Sequence, residues 1–370
     1  MICTERYYLA ALNAVYNLSF KKTLLLIEHF GSITKAYEAS AQELAATHLI
    51  TAEKCSKILA SREKDYPQKL QAFCENNGVA ILTTADSNYP LQLKNIQYPP
   101  SVLYVKGTLP DTDKAVGVVG SRKSTSYGLK VAGTFAQDLA LAGLTIISGG
   151  ARGIDTAAHK GALKANGKTI AVLGCGIDVI YPYENADLFK QISKIGAIIT
   201  EFPPGTEPLA KNFPARNRII SGFSQGILVV EAARKSGAMI TAEFAIDEGR
   251  EVYCIPGSIF SPTSVGTHSL IKQGAKLVQR PEDILEDFHL LLQKQPKEKC
   301  DMPDLFSGMS EDCEIVTNKI LTVLNFNEAK TLEEIVTASG LPLNVISSVL
   351  LNLQVNGYVA EQIGKRYIRL

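Results

Sequence analysis

Two stretches of the chain gather residues suited to holding an anion. In Ile146–Gly161, IISGGARGIDTAAHKG, β-branched residues run into Gly149 and Gly150, and Arg152 and Asp155 stand just before an alanine-rich segment. Paired glycines let backbone N–H groups come close to an anion, and a helix start adds further donors. Arg152 contributes fixed charge, whereas Asp155 is read as the cap of a helix beginning at Thr156 rather than as a catalyst. In Pro208–Gly222, PLAKNFPARNRIISG, Lys211, Arg216 and Arg218 fall within eight residues that contain no acid, with Phe213 among them. Cations interleaved with a ring suit a single strand of nucleic acid, the charges meeting successive phosphates and the ring an unstacked base. The opposing reading puts Phe213 in the core and pairs the arginines with Glu201, Glu207 or Glu231.

Covalent chemistry finds no such concentration. His159, His268, Glu231, Glu243 and Asp155 show neither a triad order nor the H-E-x-x-H spacing of a metal site, so no catalytic residue and no metal ligand is assigned. VGVVGSRKSTSYG does not match the dinucleotide fingerprint G-x-G-x-x-G, and GALKANGKT has five residues between its glycines and precedes a strand, unlike a P-loop. No built-in cofactor is expected. The seven cysteines are odd in number and form no C-x-x-C pair, which suits a reducing compartment and buried thiols. Cys175, in the turn LGCG, is the one placed for exposure, and no basic neighbour activates it.

The net charge of +1 requires any nucleic acid to be met by a local patch rather than by the whole surface. No apolar run reaches the roughly 18 residues of a membrane helix, and MICTERYYLAALNAV lacks the basic-then-apolar pattern of a secretory leader. A cytoplasmic protein with no membrane partner is expected.

These residues need elements to hold them. Residues 1–75 read as short amphipathic helices, a small domain of the helix-hairpin-helix or SAM type, with Ser40 and Thr51 as N-caps. The turn ATHLITAEK lacks the glycines through which such a hairpin approaches a phosphate, which favours packing or partner binding there. The next domain spans residues 76–295, led in by the proline-punctuated NYPLQLKNIQYPPSVLYVKG. From Ala115 the apolar strands AVGVVG, LTIISGG, TIAVLGCG, AIITEFPPG, GILVVEA, EVYCIPG and AKLV alternate with helices, including GLKVAGTFAQDLALAG, TAAHKGALKA, GAMITAEFAIDEG and PEDILEDFHLLLQK. That alternation predicts a doubly wound α/β domain with a mostly parallel, Rossmann-like sheet covered on both faces. Ligands of such sheets bind beyond the carboxyl ends of the strands, and four of these strands run into glycine turns at Gly120, Gly149, Gly174 and Gly257. Residues 296–310 read as a linker, and 311–370 as a winged helix. This last domain carries five basic against seven acidic residues, and its third helix has none of the cations a duplex reader brings. Protein contact is favoured for it over duplex recognition.

The stretches VVGSRKSTSYG, ISGGARGIDTAAHKGAL, AVLGCGIDVIYPYEN, TEFPPGTEPLAKNFPARNRIISG and EAARKSGAMITAEFA, in this order, closely resemble the DNA-processing protein A (DprA/Smf) family. The flanking helical and winged-helix domains are similar to that family's as well. The resemblance implies a homodimeric, non-enzymatic protein that binds single-stranded DNA, protects incoming DNA during natural transformation and loads the recombinase RecA onto it. By motif it assigns nucleic-acid contacts to Gly120, Ser121 and Arg122, to the loop Gly149, Gly150, Ala151, Arg152 and Gly153, and to Lys211, Phe213, Arg216, Asn217 and Arg218. The alternative from another class is a lysine-decarboxylase-like phosphoribohydrolase, whose P-G-G-x-G-T-x-x-E signature is approached only by SGAMITAE, without the paired glycines. A ligand-responsive transcription regulator is a third reading, and it requires preference for a specific duplex.

Overall fold

The computed structural model describes residues 5–16, 18, 20–288, 311–325, 328–355, 357–362 and 364–369. The linker read at 296–310 and the end of PEDILEDFHLLLQK lie outside the described residues. Two compact units divide the chain, residues 1–124 with 132–292, and residues 125–131 with 293–370.

The chain opens with α1 (Glu5–Tyr16), α2 (Phe20–Phe30), α3 (Ile33–Glu38), α4 (Ala41–Ala46), α5 (Ala52–Ser61) and α6 (Tyr66–Asn77). Ser40 caps α4 with a reciprocal capping box to Glu43, and the Thr51 hydroxyl accepts the Lys54 N–H at 3.4 Å, so both expected caps form. Between these helices His48 sits at φ 54°, the left-handed position that a glycine takes in a hairpin that approaches phosphate. Leu12, Tyr16, Leu26, Tyr37 and Leu44 give the bundle its own core.

After these helices the chain runs β1 (Val79–Thr83), α7 (Leu91–Lys94), β2 (Val102–Gly107), β3 (Ala115–Val119), α8 (Ser126–Leu141), β4 (Thr145–Ser148), α9 (Ile154–Lys164) and β5 (Thr169–Val172). It continues with α10 (Ala186–Ile195), β6 (Ala197–Thr200), α11 (Asn212–Phe223), β7 (Gly226–Val229), α12 (Gly237–Asp247), β8 (Glu251–Cys254), α13 (Val265–Lys272), β9 (Lys276–Leu277) and α14 (Glu282–Leu285). Among the described residues the strands form one nine-stranded sheet, in the order β1-β2-β6-β5-β4-β3-β7-β8-β9. Strands β3 to β9 pair in parallel, while β2 joins β6 and β1 joins β2 antiparallel. The segment expected to be a lead-in is therefore part of the sheet, and β1, whose VAILT run is short and ends at a turn, joins it too.

Alternation along each strand sorts side chains to two layers. Ile170 and Val172 of β5 face the core shared with α11 and α12, while Ala171 and Leu173 face the core shared with α1, α6 and α10. Leu103 and Val105 of β2 join the first core, and Val102 and Tyr104 the second. The helical start thus supplies Leu9, Ala10, Leu70 and Cys74 to one face of the sheet. The helices α10 and α11, not singled out from sequence, cover opposite faces.

The smaller unit contains α15 (Glu311–Val323), β10 (Lys330–Thr331), α16 (Leu332–Ser339), α17 (Leu343–Val355), β11 (Val359–Gln362) and β12 (Arg366–Arg369). Its strands form an antiparallel sheet in the order β10-β12-β11, over a core that includes Ile320, Ile335, Ile346 and Leu350. Thr331 and Glu334 close a capping box at the start of α16.

His159, on α9, is fully buried and takes no part in any catalytic grouping. Thr169 donates its hydroxyl to the Ile146 carbonyl, so the His159 Nδ1–H donates to Thr169 Oγ1 at 2.7 Å, and Nε2 is left with no partner. Burial, reinforced by the nearby Arg216 charge, pushes this imidazole down from 6.5 to about 3. The unfolded chain therefore takes up a proton that the folded one refuses. Stability from this group is complete above about pH 6.5 and declines as acid is added towards pH 3. Between about pH 7 and about pH 5 the wild type is expected to lose about 2 kcal/mol more than a His159→Gln protein, read from urea midpoints. Equal losses in the two proteins would contradict the buried neutral imidazole.

Candidate nucleic-acid interface

In the sheet order, β4, β5 and β6 lie to one side of β3, and β7, β8 and β9 to the other. At such a reversal the crossover connections diverge and leave a crevice beyond the strand ends. A cleft of about 720 Å³ opens there, walled by the loops after β3, β4 and β7 and by the first turns of α11 and α12. Gly120, Ser121, Arg122 and Lys123 form one wall, and Ala151, Asp155, Tyr181 and Phe213 contribute to others.

Two contacts bring the first two loops together. Ile154 donates its N–H to the Ser121 carbonyl at 3.3 Å, and Gly153, at φ 76°, packs so closely that a Cβ there would stand 2.3 Å from that same oxygen. Asn185 holds the second loop from behind, donating Nδ2 to the Gly150 carbonyl at 3.0 Å and to Thr156 Oγ1 at 2.8 Å. The helix α9 begins at Ile154, two residues before the expected start. Asp155 is therefore inside its first turn, and its carboxylate accepts the N–H of Ala151, upstream of the helix, at 3.3 Å. Burial raises the Asp155 carboxyl above its usual range against the pull of Arg216.

Arg216 and Arg218 separate because a two-residue step turns a helix through about 200°. Arg216 is 3% exposed and donates Nη1 to the Val172 carbonyl. Its guanidinium fills the space beside Gly149, where a Cβ would meet Nη1 at 2.0 Å. Burial draws it down to about 10, and it stays charged at neutral pH. Arg218 turns away from the cleft, pairs with Glu201 and lines a different hollow beside Gln92 and Arg250. Asn217 is buried and donates to the Gly237 carbonyl at 3.0 Å, tying α11 to α12. The alternative of pairing to Glu201 thus describes Arg218, while Arg216 is a structural cation under the loop.

Phe213 also differs from a bare platform. It is half-buried, with Arg122 over its ring at 4.8 Å, Arg216 at 6.0 Å and the Tyr181 ring at 5.6 Å. The outermost layer is the exposed Arg122 guanidinium, itself a plane on which a base can stack. Lys123, missed from sequence because VVGSRKSTSYG read as a glycine loop, is exposed beside it. Tyr181 was missed as well, since nothing in IYPYEN fixes which of its two tyrosines faces inward. Lys211 is exposed just before α11, between residues that line the cleft. Arg152 is exposed but bound to Glu184, which accepts its Nη2–H at 3.0 Å, and it lies outside the cleft wall. Cys175, expected to be exposed, is 1% exposed, and burial pushes its thiol up to about 11. His268 and Glu243 do not approach the cleft wall, and Glu231 is buried and accepts from Thr263 at 3.3 Å. Gly149→Ala is expected to force Arg216 from its seat and to cost about 1–3 kcal/mol in chemical unfolding, as overpacking does. An unchanged midpoint would show that the guanidinium is not confined there.

The sequence family described as DNA recombination-mediator protein A matches residues 80–289. A protein Smf from Synechocystis is 34% identical over an alignment of 398 residues that covers 100% of each chain. The crystal structure of DNA processing protein A from Streptococcus pneumoniae is similar at a TM-score of 0.67 and 36% identity, over 78% of this chain and 99% of that one. DNA processing protein A from Helicobacter pylori, whose structure concerns a single-stranded DNA binding mode, is similar at a TM-score of 0.52 and 29% identity, over 57% of this chain and 95% of that one. With the match running through every loop of the cleft and a relative aligned along the whole chain, this protein belongs to the DNA recombination-mediator protein A family.

Proposed function

We propose that the cleft binds single-stranded DNA, and that the protein protects incoming strands and delivers them to a RecA recombinase during natural transformation, working as a homodimer in the cytoplasm without making or breaking bonds. The observation that carries this reading is the Arg122 guanidinium seated on the Phe213 ring at the mouth of the cleft, with Lys123 next to it. The ring holds a cation outward where a phosphate can meet its edge and a base its face. Gly120 lines the cleft two residues before Arg122, so its backbone can approach the same phosphates. A duplex presents its bases stacked inward and has no use for the stacking plane, so single strands are favoured. The single-strand binding mode described for the Helicobacter pylori relative supports the same assignment.

Titration of equal-length single-stranded and duplex oligonucleotides across a salt series tests it. Single strands are expected to bind more tightly, with a log-log salt slope of about 0.7 per phosphate neutralised. Arg122→Ala, at an exposed position, is expected to keep the thermal midpoint and to weaken single-strand binding about 10-fold or more, losing a charge and a stacking plane together. Wild-type affinity in that variant, or equal affinity for duplex, would refute the reading.

A further inference from the structure

The strand order places the loops after β5, β4, β3, β7 and β8 side by side along one edge of the sheet. Those four strand spacings cover about 19 Å. The cleft uses the middle of this edge, and the loops beyond it towards β8 carry residues that no role described above absorbs. Ala233 and Ser236, on the β7–α12 loop, line the cleft. Between them Arg234 and Lys235 are exposed, and neither forms an ion pair among the described residues. The adjoining start of α12 has no side-chain cap: Ser236 is extended, and its buried hydroxyl has no partner.

One strand further, the β8–α13 loop holds Ile259 at 77% exposed and Phe260 at 90%, and no other phenylalanine among the described residues is an exposed large apolar residue. This loop is anchored. Ala232 donates its N–H to the Thr263 carbonyl at 2.7 Å, and Thr263 also lines the cleft. Ser261 donates its N–H to the Ser258 carbonyl at 3.0 Å, and Phe260 donates its N–H to Ser258 Oγ at 3.3 Å, which sets Phe260 at the tip of a closed turn. Three residues of chain reach at most about 11 Å, so the Phe260 backbone is held within that distance of Thr263 on the cleft wall. A phenylalanine 90% exposed on a braced turn, one loop along the sheet edge from two cations, has the chemistry of a single strand's outer contact and not of a core.

We propose that Arg234, Lys235 and Phe260 form an outer half of the single-strand track, the cations taking phosphates and the Phe260 ring an unstacked base, as the strand leaves the cleft across β7 and β8. This rests on the cleft being a single-strand site, and its test separates the two. The chain contains no tryptophan, so Phe260→Trp installs a single reporter. Addition of oligothymidylates of increasing length is expected to leave its fluorescence unchanged while only the cleft is filled, and to quench it once the strand overruns the cleft. On the long oligomers Phe260→Ala is expected to bind about 5- to 150-fold more weakly, with Phe260→Tyr close to wild type. An Arg234→Ala, Lys235→Ala double variant is expected to lower the salt slope by about 1.4, two phosphates' worth. If these variants bind long oligomers as the wild type does while Arg122→Ala does not, the outer track is refuted and the cleft assignment stands. If the wild type binds no oligomer of any length, the cleft assignment falls and the track with it.

Discussion

Removing a guanidinium from water costs several kcal/mol unless hydrogen bonds and nearby negative charge compensate, and the floor of the cleft is built around this requirement for Arg216. Its side chain reaches from α11 under the β4–α9 loop to the Val172 carbonyl at the end of β5, and the buried Asp155 on α9 supplies attraction. One cation therefore ties together the ends of two strands and the starts of two helices. Gly149 is required by the same packing, since any side chain there would occupy the guanidinium's place. Gly149 thus leaves room for a buried charge, and it and Gly150 are themselves buried and lie outside the cleft lining.

Above that floor the charges are arranged in layers. Arg216 is enclosed, Phe213 lies over it, and Arg122 lies over Phe213. Each layer limits the freedom of the next, so the outermost guanidinium is presented with little entropy left to lose on binding. Of the negative side chains around these loops, Asp155 and Glu231 are buried, and Glu184 and Glu201 are bound to arginines. A chain with a net charge of only +1 can in this way offer a cationic rim to a polyanion.

The large unit is also stiff where the cleft needs it to be. Four parallel neighbours with fully buried strands carry the loops, and the helical start closes the far face through Leu9, Leu70 and Cys74. That places the first helices in the support of the sheet, whatever their outer surface contacts.

From sequence alone the parallel strands from β3 to β9, the caps at Ser40 and Thr51, and the glycine loops were legible, because each depends on local periodicity or on a residue's own backbone preference, whereas β1, α10 and α11 were not singled out. Family membership was legible for the same reason, through motifs whose glycines and turn residues are read in place. What lay beyond it was the direction of side chains within a motif. PARNR shows two arginines of equal standing, yet a 200° step sends one beneath a glycine and the other to Glu201. Phe213 is an aromatic among cations in either reading, and only the approach of Arg122 from a loop 91 positions away covers its face. The adjacency of Arg122, Arg234 and Phe260 along one edge follows from the order β3-β7-β8, a long-range pairing that no local pattern encodes.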